Sequence, residues 1–573
     1  MPDINEIQDW YNEADSIHSD WTTKALEDWA FYNGDQWDAS DKARLEKLKR
    51  PVLTLNYLRS LIRLMVGYEM RTRYNIKVYP VGEEGDDDKA RLLTRLMHGI
   101  ERTERLDYVS SDVYKHGLIC GRGWFKVYVD YDFNLLGDIK ITTDDAYYIK
   151  VDPYGRRLDM LDHRYLFVEH WYDERDVRRL YPDIDIDELQ MSADATRKVN
   201  GRQLYQVKEC WYREYKVERL LINKQNYEIY KVTEQDDEEV IKRYISSGNY
   251  ALYRRKVPQV YYVVLSGEEI LEEAQSPYKS PYFPYVLYTP EFLPSFGDEN
   301  DPDWVGIIRD LKDPQRDINK RRSQWLDILA RSVNTGWITT KNNIVNKQAI
   351  QDLQTKPGVI IEVLDFNKIR EKRSEAPHPA LFTTGQQDVE DLRYISGINP
   401  AQLGFSVGTR ESGKSLLIKQ QSGAISITPY QDNLRLARLI VARLVLSLIP
   451  QVYNASRIAR VIAPDGTLMT MKPEELQAIQ QILSDVDIGR YDVALSDVPS
   501  TPTQRIASFV ELKEMIGLLI QMGMPVPPDM LITLIEESDI SKKKDLIASI
   551  QNMMKAAQQQ QQATQMAAMT QGQ

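Results

Sequence analysis

Cysteine is nearly absent from this chain: Cys120 and Cys210 are the only two in 573 residues. Two thiols build neither a disulfide framework nor a thiolate metal cluster. They read as small buried residues of a protein kept in a reducing compartment. Histidine is scarce too, at six residues. None stands in an H-E-x-x-H or H-x-x-x-H spacing. His163 and His170 flank a strand-like run at odd separation and would face opposite sides of it, so neither a metal nor a cofactor site is expected. No apolar run approaches the ~18 residues that span a bilayer, so no membrane partner is expected. The first ~30 residues are polar and acidic, unlike a secretory signal. Positive charge is in deficit: 73 Lys and Arg against 85 Asp and Glu leave −12 at pH 7. Affinity for DNA comes mainly from neutralising phosphates, so the balance argues against a general nucleic-acid binder. It is compatible with a nucleic acid that must pass without sticking.

What is present is enough apolar material, 42% of the chain, for several cores at this length. Tyrosine is frequent, at 34, beside ten tryptophans. Such amphipathic rings suit large subunit interfaces and half-buried strands.

Read along the chain, the periodicities give a mixed α+β protein of several parts. Residues 1–50 are helical, and Arg50-Pro51 is a boundary. Leu55–Tyr68 is a second helix and Tyr74–Pro80 alternates as a strand. Lys89–Tyr114 is a charged amphipathic helix. Strands dominate Gly123–Tyr172, with a turn at Asp152-Pro153 and Tyr154-Gly155. Asp173–Tyr181 is a short helix, Asp183–Asn200 a polar insertion, and Gln203–Leu265 strand-rich. Asp86–Asp88 and Asp236–Glu239 read as solvated acidic loops. Ser276–Phe296 is an extended connector. Asp313 then caps a helix with Pro314 in its first turn, running to Ser332 over about 30 Å. Residues 333–378 form a small α/β insert, in which a strand at WITT (337–340) and a strand at VIIEVL (359–364) flank a helix. Thr384–Ser396 is a helix that would return beside the first as an antiparallel pair. Gly413–Tyr453 is the longest helical stretch, roughly 60 Å if continuous. A kink is expected at Pro429. Arg435, Arg438 and Arg443 read as its solvated face. Short strands fill 456–498, helices Thr503–Ser549, and the Gln-rich end Ala556–Gln573 is either disordered or helical in packed copies.

One motif points elsewhere. Gly408–Ser415, GTRESGKS, satisfies the pattern G-x-x-x-x-G-K-[ST] of phosphate-binding loops. That loop works only between a buried strand and a helix. The helix is plausible, but Pro400 and Gly404 break the stretch where the strand belongs. The loop-before-helix reading, with Ser412 as N-cap, is favoured. The alternative, a P-loop NTPase using Gly408–Ser415, predicts that Lys414→Ala abolishes nucleotide hydrolysis. No constellation of catalytic side chains can be proposed from the sequence, and the chain is not expected to be an enzyme.

Several ordered blocks resemble the portal proteins of short-tailed, podovirus-type bacteriophages. They are Arg50-Pro51-Val52-Leu53-Thr54-Leu55-Asn56 through Val66-Gly67, with Asn75–Pro80; Gly121-Arg122-Gly123, Val151-Asp152-Pro153 and Asp159–Asp162; and Val305–Arg316 with Asn319 and Ser323. Further on come Arg410–Ser415 with Lys419-Gln420-Gln421 and Tyr430–Asn433, then Tyr491-Asp492-Val493, Pro499-Ser500 and Thr503-Gln504-Arg505. Each is weak alone; number and order carry the resemblance, over most of 30–515.

The resemblance implies an elongated multi-domain portal fold with long helices, assembling into a ring, probably of twelve copies by the family's habit. It implies a wing over 1–303, a stem helix at 304–332, a clip at 333–378 and a second stem helix at 379–397. A tunnel loop would follow at 398–412, a long kinked wing helix at 413–455 and wing return strands at 456–502. Crown helices at 503–555 and the tail at 556–573 complete it. Double-stranded DNA would pass through the channel during packaging and ejection, without sequence readout. The terminase large subunit, a tail adaptor or head-completion protein, and the major capsid and scaffolding proteins are the implied partners. The implied location is the portal vertex of the virion, and the host cytoplasm during assembly. Arg410, Glu411 and Lys414 are expected near the channel constriction. Lys341, Asn342, Asn343 and Lys347 are expected on the clip surface that docks terminase or adaptor.

Overall fold

The computed structural model describes residues 2–80, 87–132, 134–182, 196–199, 201–225, 228–232, 238–267, 269–278, 280–294, 302–333, 337–346, 360–371, 379–397, 425–453, 491–499 and 513–518, with a few single positions besides. The chain divides into two compact units, 1–66 with 104–452 and 67–103 with 453–573.

The first helix, α1 (Ile4–Asn33), is capped by the Asp3 carboxylate on the Ile4 N–H. It is followed by α2 (Ala39–Lys47) and α3 (Tyr57–Arg71). The second unit holds β1 (Tyr74–Pro80) and α4 (Asp87–Thr103). The first unit resumes with α5 (Leu106–Cys120), β2 (Gly123–Asp130), β3 (Asp138–Asp144), β4 (Ile149–Val151), β5 (Tyr165–Asp173) and α6 (Glu174–Leu180). Then come β6 (Thr196–Val199), β7 (Arg202–Asn223), β8 (Ile229–Val232), α7 (Glu238–Ser246), β9 (Tyr250–Ser266) and β10 (Glu269–Gln275). The unit ends with β11 (Tyr285–Tyr288), β12 (Glu291–Leu293), β13 (Asp303–Val305), α8 (Ile307–Val333), β14 (Trp337–Thr339), β15 (Ile369–Glu371), α9 (Pro379–Ser396) and α10 (Thr428–Val452). The last strand, β16 (Tyr491–Pro499), belongs to the second unit.

The larger sheet has the order β10-β9-β7-β5-β4, and β6 and β8 also pair with β7. All its pairs are antiparallel; Cys210 sits opposite Phe167 on one side and Val263 on the other. Period-two alternation puts Tyr165, Phe167, Cys210, Tyr212 and Val263 on one face, where Ile7 and Ala14 of α1 cover them. Each fully buried large side chain there contributes about 1.5–3 kcal/mol. The smaller sheet, β11-β2-β3, packs against α5 and α10. α10 buries Leu434, Ile440, Val441, Leu444, Val445 and Leu448 on one face, and Ala442 and Leu446 widen that face beyond the stripe of an ordinary surface helix. In the second unit β1 pairs antiparallel with β16, Val78 opposite Val493. α4 lies against β1, with the His98 ring on the Ile76 carbonyl at 2.7 Å.

Several expectations change. The helix expected from Asp313 begins at Ile307 and carries Pro314 inside it. Buried Ile307, Ile308 and Leu311 extend it upstream, because packing outweighs local punctuation. Lys89–Tyr114 is two helices, broken where Arg105 turns left-handed (φ 52). Pro429 is the second residue of α10, where an absent N–H costs nothing, after a short 3-10 turn at Ile425–Ile427; the expected earlier part of that helix, 413–424, lies outside the described residues. Arg438 is buried and not part of a solvated face. Glu238 and Glu239 open α7, their charge favoured at a helix N-terminus, rather than lying in a loop. Within 183–200, Thr196–Val199 is a strand on β7. The connector at 276–296 contains β11, buried throughout, and β12. β14 pairs with Ile369–Glu371, whereas among the described residues of VIIEVL only Val363 makes a bridge, to Ile344. The helix expected within 333–378, most of 456–498 and the tail lie outside the described residues.

Candidate functional surface

The helix α8 is held to the rest of its unit by two stripes. One is polar: Gln315, Asn319 and Ser323, four residues apart and so on one face, are all buried. They meet the extended segment before α3. Ser323 Oγ accepts the Leu53 N–H (2.9 Å), Asn319 Oδ1 the Leu55 N–H (2.8 Å) and Gln315 Oε1 the Tyr57 N–H (3.2 Å). Gln315 donates back to the Leu55 carbonyl and Asn319 to Gln36 Oε1, both at 2.7 Å. Backbone groups that a strand partner would satisfy are thus satisfied by side chains. The other stripe is cationic. Arg309 reaches Asp28 and Asp303 at 2.9 Å, Lys312 reaches Asp28 at 2.7 Å and Glu27 at 2.6 Å, Arg316 reaches Glu27 at 2.6 Å, and Lys320 reaches Asp41 at 3.1 Å. Burial pushes the Asp28 carboxyl above its ordinary value, although Arg309 and Lys312 draw it down. Burial acts the same way on half-exposed Glu27, but the hydrogen bonds and charges of Lys312 and Arg316 outweigh it and hold that carboxyl low.

Beside this clamp sits a buried arginine. Arg122 lies between two indoles, 3.8 Å from the Trp304 ring and 4.3 Å from that of Trp21. It donates to His18 Nδ1 at 3.0 Å, and His18 Nε2–H donates to the Tyr147 carbonyl at 2.8 Å. Burial pushes Arg122 down to about 9, which leaves it charged at neutral pH. Burial, then the Arg122 charge, push His18 down to about 3, so its ring is neutral and free to accept. Gly121 is in the left-handed region (φ 88), and a Cβ there would stand 2.1 Å from the Trp304 carbonyl oxygen. Only glycine permits that approach. The blocks Gly121-Arg122-Gly123 and Val305-Gly306, far apart in sequence, therefore meet here. The blocks around Leu53 and Asn319 meet in the polar stripe.

Beyond α8 the chain makes the hairpin β14–β15 and returns as α9, which packs on α8 with Arg321 Nε 3.0 Å from Asp388. Burial raises the Asp388 carboxyl while Arg321 draws it down. The hairpin region is unusually apolar on the outside. Ile338, Val345, Ile360, Leu364 and Phe366 are all exposed, Phe366 to 82%. Lys341 and Asn342 are exposed at its turn, Asn342 with φ 64. Asn343 is different from the expectation: it is buried, and its amide donates to Thr339 Oγ1 and the Asp365 carbonyl and accepts from the Asp365 N–H. Its side chain staples the loop, with both N–H donors used inside it. Lys347 lies outside the described residues, as do Arg410, Glu411, Lys414 and the whole of Gly408–Ser415.

Sequence reasoning named Gln315, Asn319, Ser323 and Arg122 only as parts of a resemblance. Their signal was a four-residue polar spacing on an otherwise charged helix, and an arginine between glycines. Ile338, Ile360 and Leu364 it placed in the strands WITT and VIIEVL without marking them as a surface. Among the described residues no group of three His, Cys, Asp or Glu could hold a metal, and no helix is long and apolar enough to cross a membrane. No curated protein matches the chain. The profile of one family, described as Phage P22-like portal protein, matches residues 8–573. A match over nearly the whole length, joined to motif blocks that meet as buried polar junctions, leads to one conclusion: the chain belongs to the P22-like phage portal protein family.

Proposed function

We propose that the chain is one subunit of a ring at a single capsid vertex, the head-to-tail connector through which terminase packages double-stranded DNA and through which the DNA later leaves. The observation that carries this reading is the family match over residues 8–573. The ring has twelve copies. In each, 1–303 with 413–502 forms the wing, 304–332 and 379–397 the stem, 333–378 the clip, 398–412 the tunnel loop, and 503–555 the crown, with the tail beyond. The portal is a conduit without a catalytic step, and ATP hydrolysis belongs to the motor that docks on it. Twelve chains at −12 each sum to roughly −144, a field that keeps phosphates moving rather than bound. Arg410, Glu411 and Lys414 stand near the constriction and touch DNA only through phosphates.

The exposed apolar hairpin supports a docking role for the clip. Five large apolar side chains in water on so small an element mark an interaction surface. Terminase and then the tail adaptor use it in turn, and the major capsid and scaffolding proteins surround the ring elsewhere.

Electron microscopy and mass photometry of the purified chain test the ring. Closed rings of about twelve copies around an open channel are expected, the closure a heterologous interface produces. A chain that stays monomeric at high concentration and with scaffolding protein present would refute it. Leu364→Ser with Phe366→Ser tests the docking surface. Rings should form at the normal yield while capture of adaptor or terminase falls at least tenfold; unchanged capture would remove the clip from docking.

A further inference from the structure

A groove between α8 and α9 has a floor that none of the described residues requires. Gly385 lies within α9, where glycine costs about 0.5–1 kcal/mol relative to alanine. A Cβ at that position would meet no atom within 4 Å. Among the described residues no neighbour in its own chain demands the small residue. The groove above it encloses about 540 Å³. Ile318, Trp325 and Val389 give it apolar walls, Arg322 and Arg393 line it with positive charge, and Glu390 is the acid in the lining. Arg322 lies over the Trp325 ring at 5.0 Å. Arg321, also in the lining, is held by Asp388. Among the described residues Arg322 and Arg393 have no ion-pair partner.

The complement of this groove is on the same helix. Tyr394 is nine residues from Gly385, and at 100° per residue that is half a turn, so the two face opposite ways. Tyr394 is 89% exposed. Ile395 beside it is half exposed, and Asp391, one turn earlier, is exposed. α9 thus carries an arginine-lined hole on one side and an aromatic knob with an acid on the other. A knob and a hole on opposite faces cannot pair within one chain, but they pair head to tail between copies, and such contacts close into rings.

We propose that Tyr394 of one copy enters the groove over Gly385 of the next, its ring against Trp325, with Asp391 paired to Arg393. This rests on the ring reading above and names residues that hold the ring at α8–α9. The occupant is a second copy rather than DNA, because the chain itself supplies the matching aromatic and acid.

The test is cross-linking of the full chain carrying Gly385→Cys and Tyr394→Cys. Its own thiols, Cys120 and Cys210, are buried and stay out of the reaction. A bond within one chain is excluded, since the two positions are about 13–14 Å apart along the helix and on opposite faces. Mild oxidation of assembled rings should give a ladder of covalent oligomers, and each single variant should stay at the monomer band. Independently, Tyr394→Ala should raise the concentration for half-assembly at least tenfold, with Tyr394→Phe near wild type. Wild-type chain that forms no ring would overturn the ring reading and this interface together. Rings of the double variant without a ladder, or Tyr394→Ala rings as stable as wild type, would overturn the interface alone. So would Gly385→Cys in intact rings that labels freely with maleimide and is protected by an added DNA duplex, since the groove would then face nucleic acid.

Discussion

Arg122 shows how a single residue can be unreadable from its neighbours and decisive in the fold. A buried cation ordinarily needs a carboxylate at contact distance. Here two indole faces and a neutral imidazole do that work, and cation–π contact in a dry site is worth about 2 kcal/mol or more. Lysine cannot lie flat between two rings. Arg122→Lys should therefore lower stability by about 2–3 kcal/mol, read as a drop in urea midpoint at unchanged m. His18 adds a pH dependence. Its folded value of about 3 lies below the ordinary 6.5. Above pH 6.5 both states are neutral and nothing changes. Below it the unfolded chain takes up a proton that the folded chain refuses, so stability falls by about 1.4 kcal/mol per pH unit until about pH 3. His18→Gln keeps an acceptor for Arg122. Relative to it, wild type should lose stability between pH 6.5 and 5, and parallel curves for the two would show the site does not titrate this way.

At the scale of elements, the determining feature is α8. Its polar stripe substitutes for a strand partner along Leu53–Tyr57, and its cationic stripe meets acids from α1 and α2. Asn319 is the centre of the first, touching both Leu55 and Gln36. Asn319→Ala leaves the Leu55 N–H without its acceptor in a half-buried site, which costs about 1–3 kcal/mol. Amide exchange should quicken over residues 53–57 and at Gln36's contacts before it quickens in the large sheet. Uniform quickening would mean that the stripe is not a local clamp. The helices α8 and α10 also mark where local rules give way. Pro314 reads as a start signal and Arg438 as part of a wet face; burial of Ile307, Ile308 and Arg438 reverses both, while Arg435 and Arg443 stay half-exposed.

At the scale of the whole molecule, the proposed conduit must bind its own copies tightly and DNA weakly. The same net charge that keeps DNA sliding works against assembly, so ring contacts must come from local complementarity such as Tyr394 over Gly385. Purified rings should bind a short fluorescent duplex more weakly than about 1 μM at physiological salt, at the weak end for non-specific binding. Saturable binding well below that would refute a sliding channel and point to a cationic lining.

The sequence by itself determined the class, α+β, most strands between Gly123 and Leu265, the helical character of α1, α3, α8, α9 and α10, and the family. Those follow from periodicity, caps and block order, which are local or one-dimensional. Tertiary structure alone decided where α8 begins, that β14 pairs with Ile369–Glu371, that Arg122 and Asn343 are buried, and that Gly385 opens onto a groove while Tyr394 is exposed. Each of these depends on which distant residue arrives at a given surface. Burial and ion pairing are energies of encounter, and they are settled only when the chain has brought both partners together.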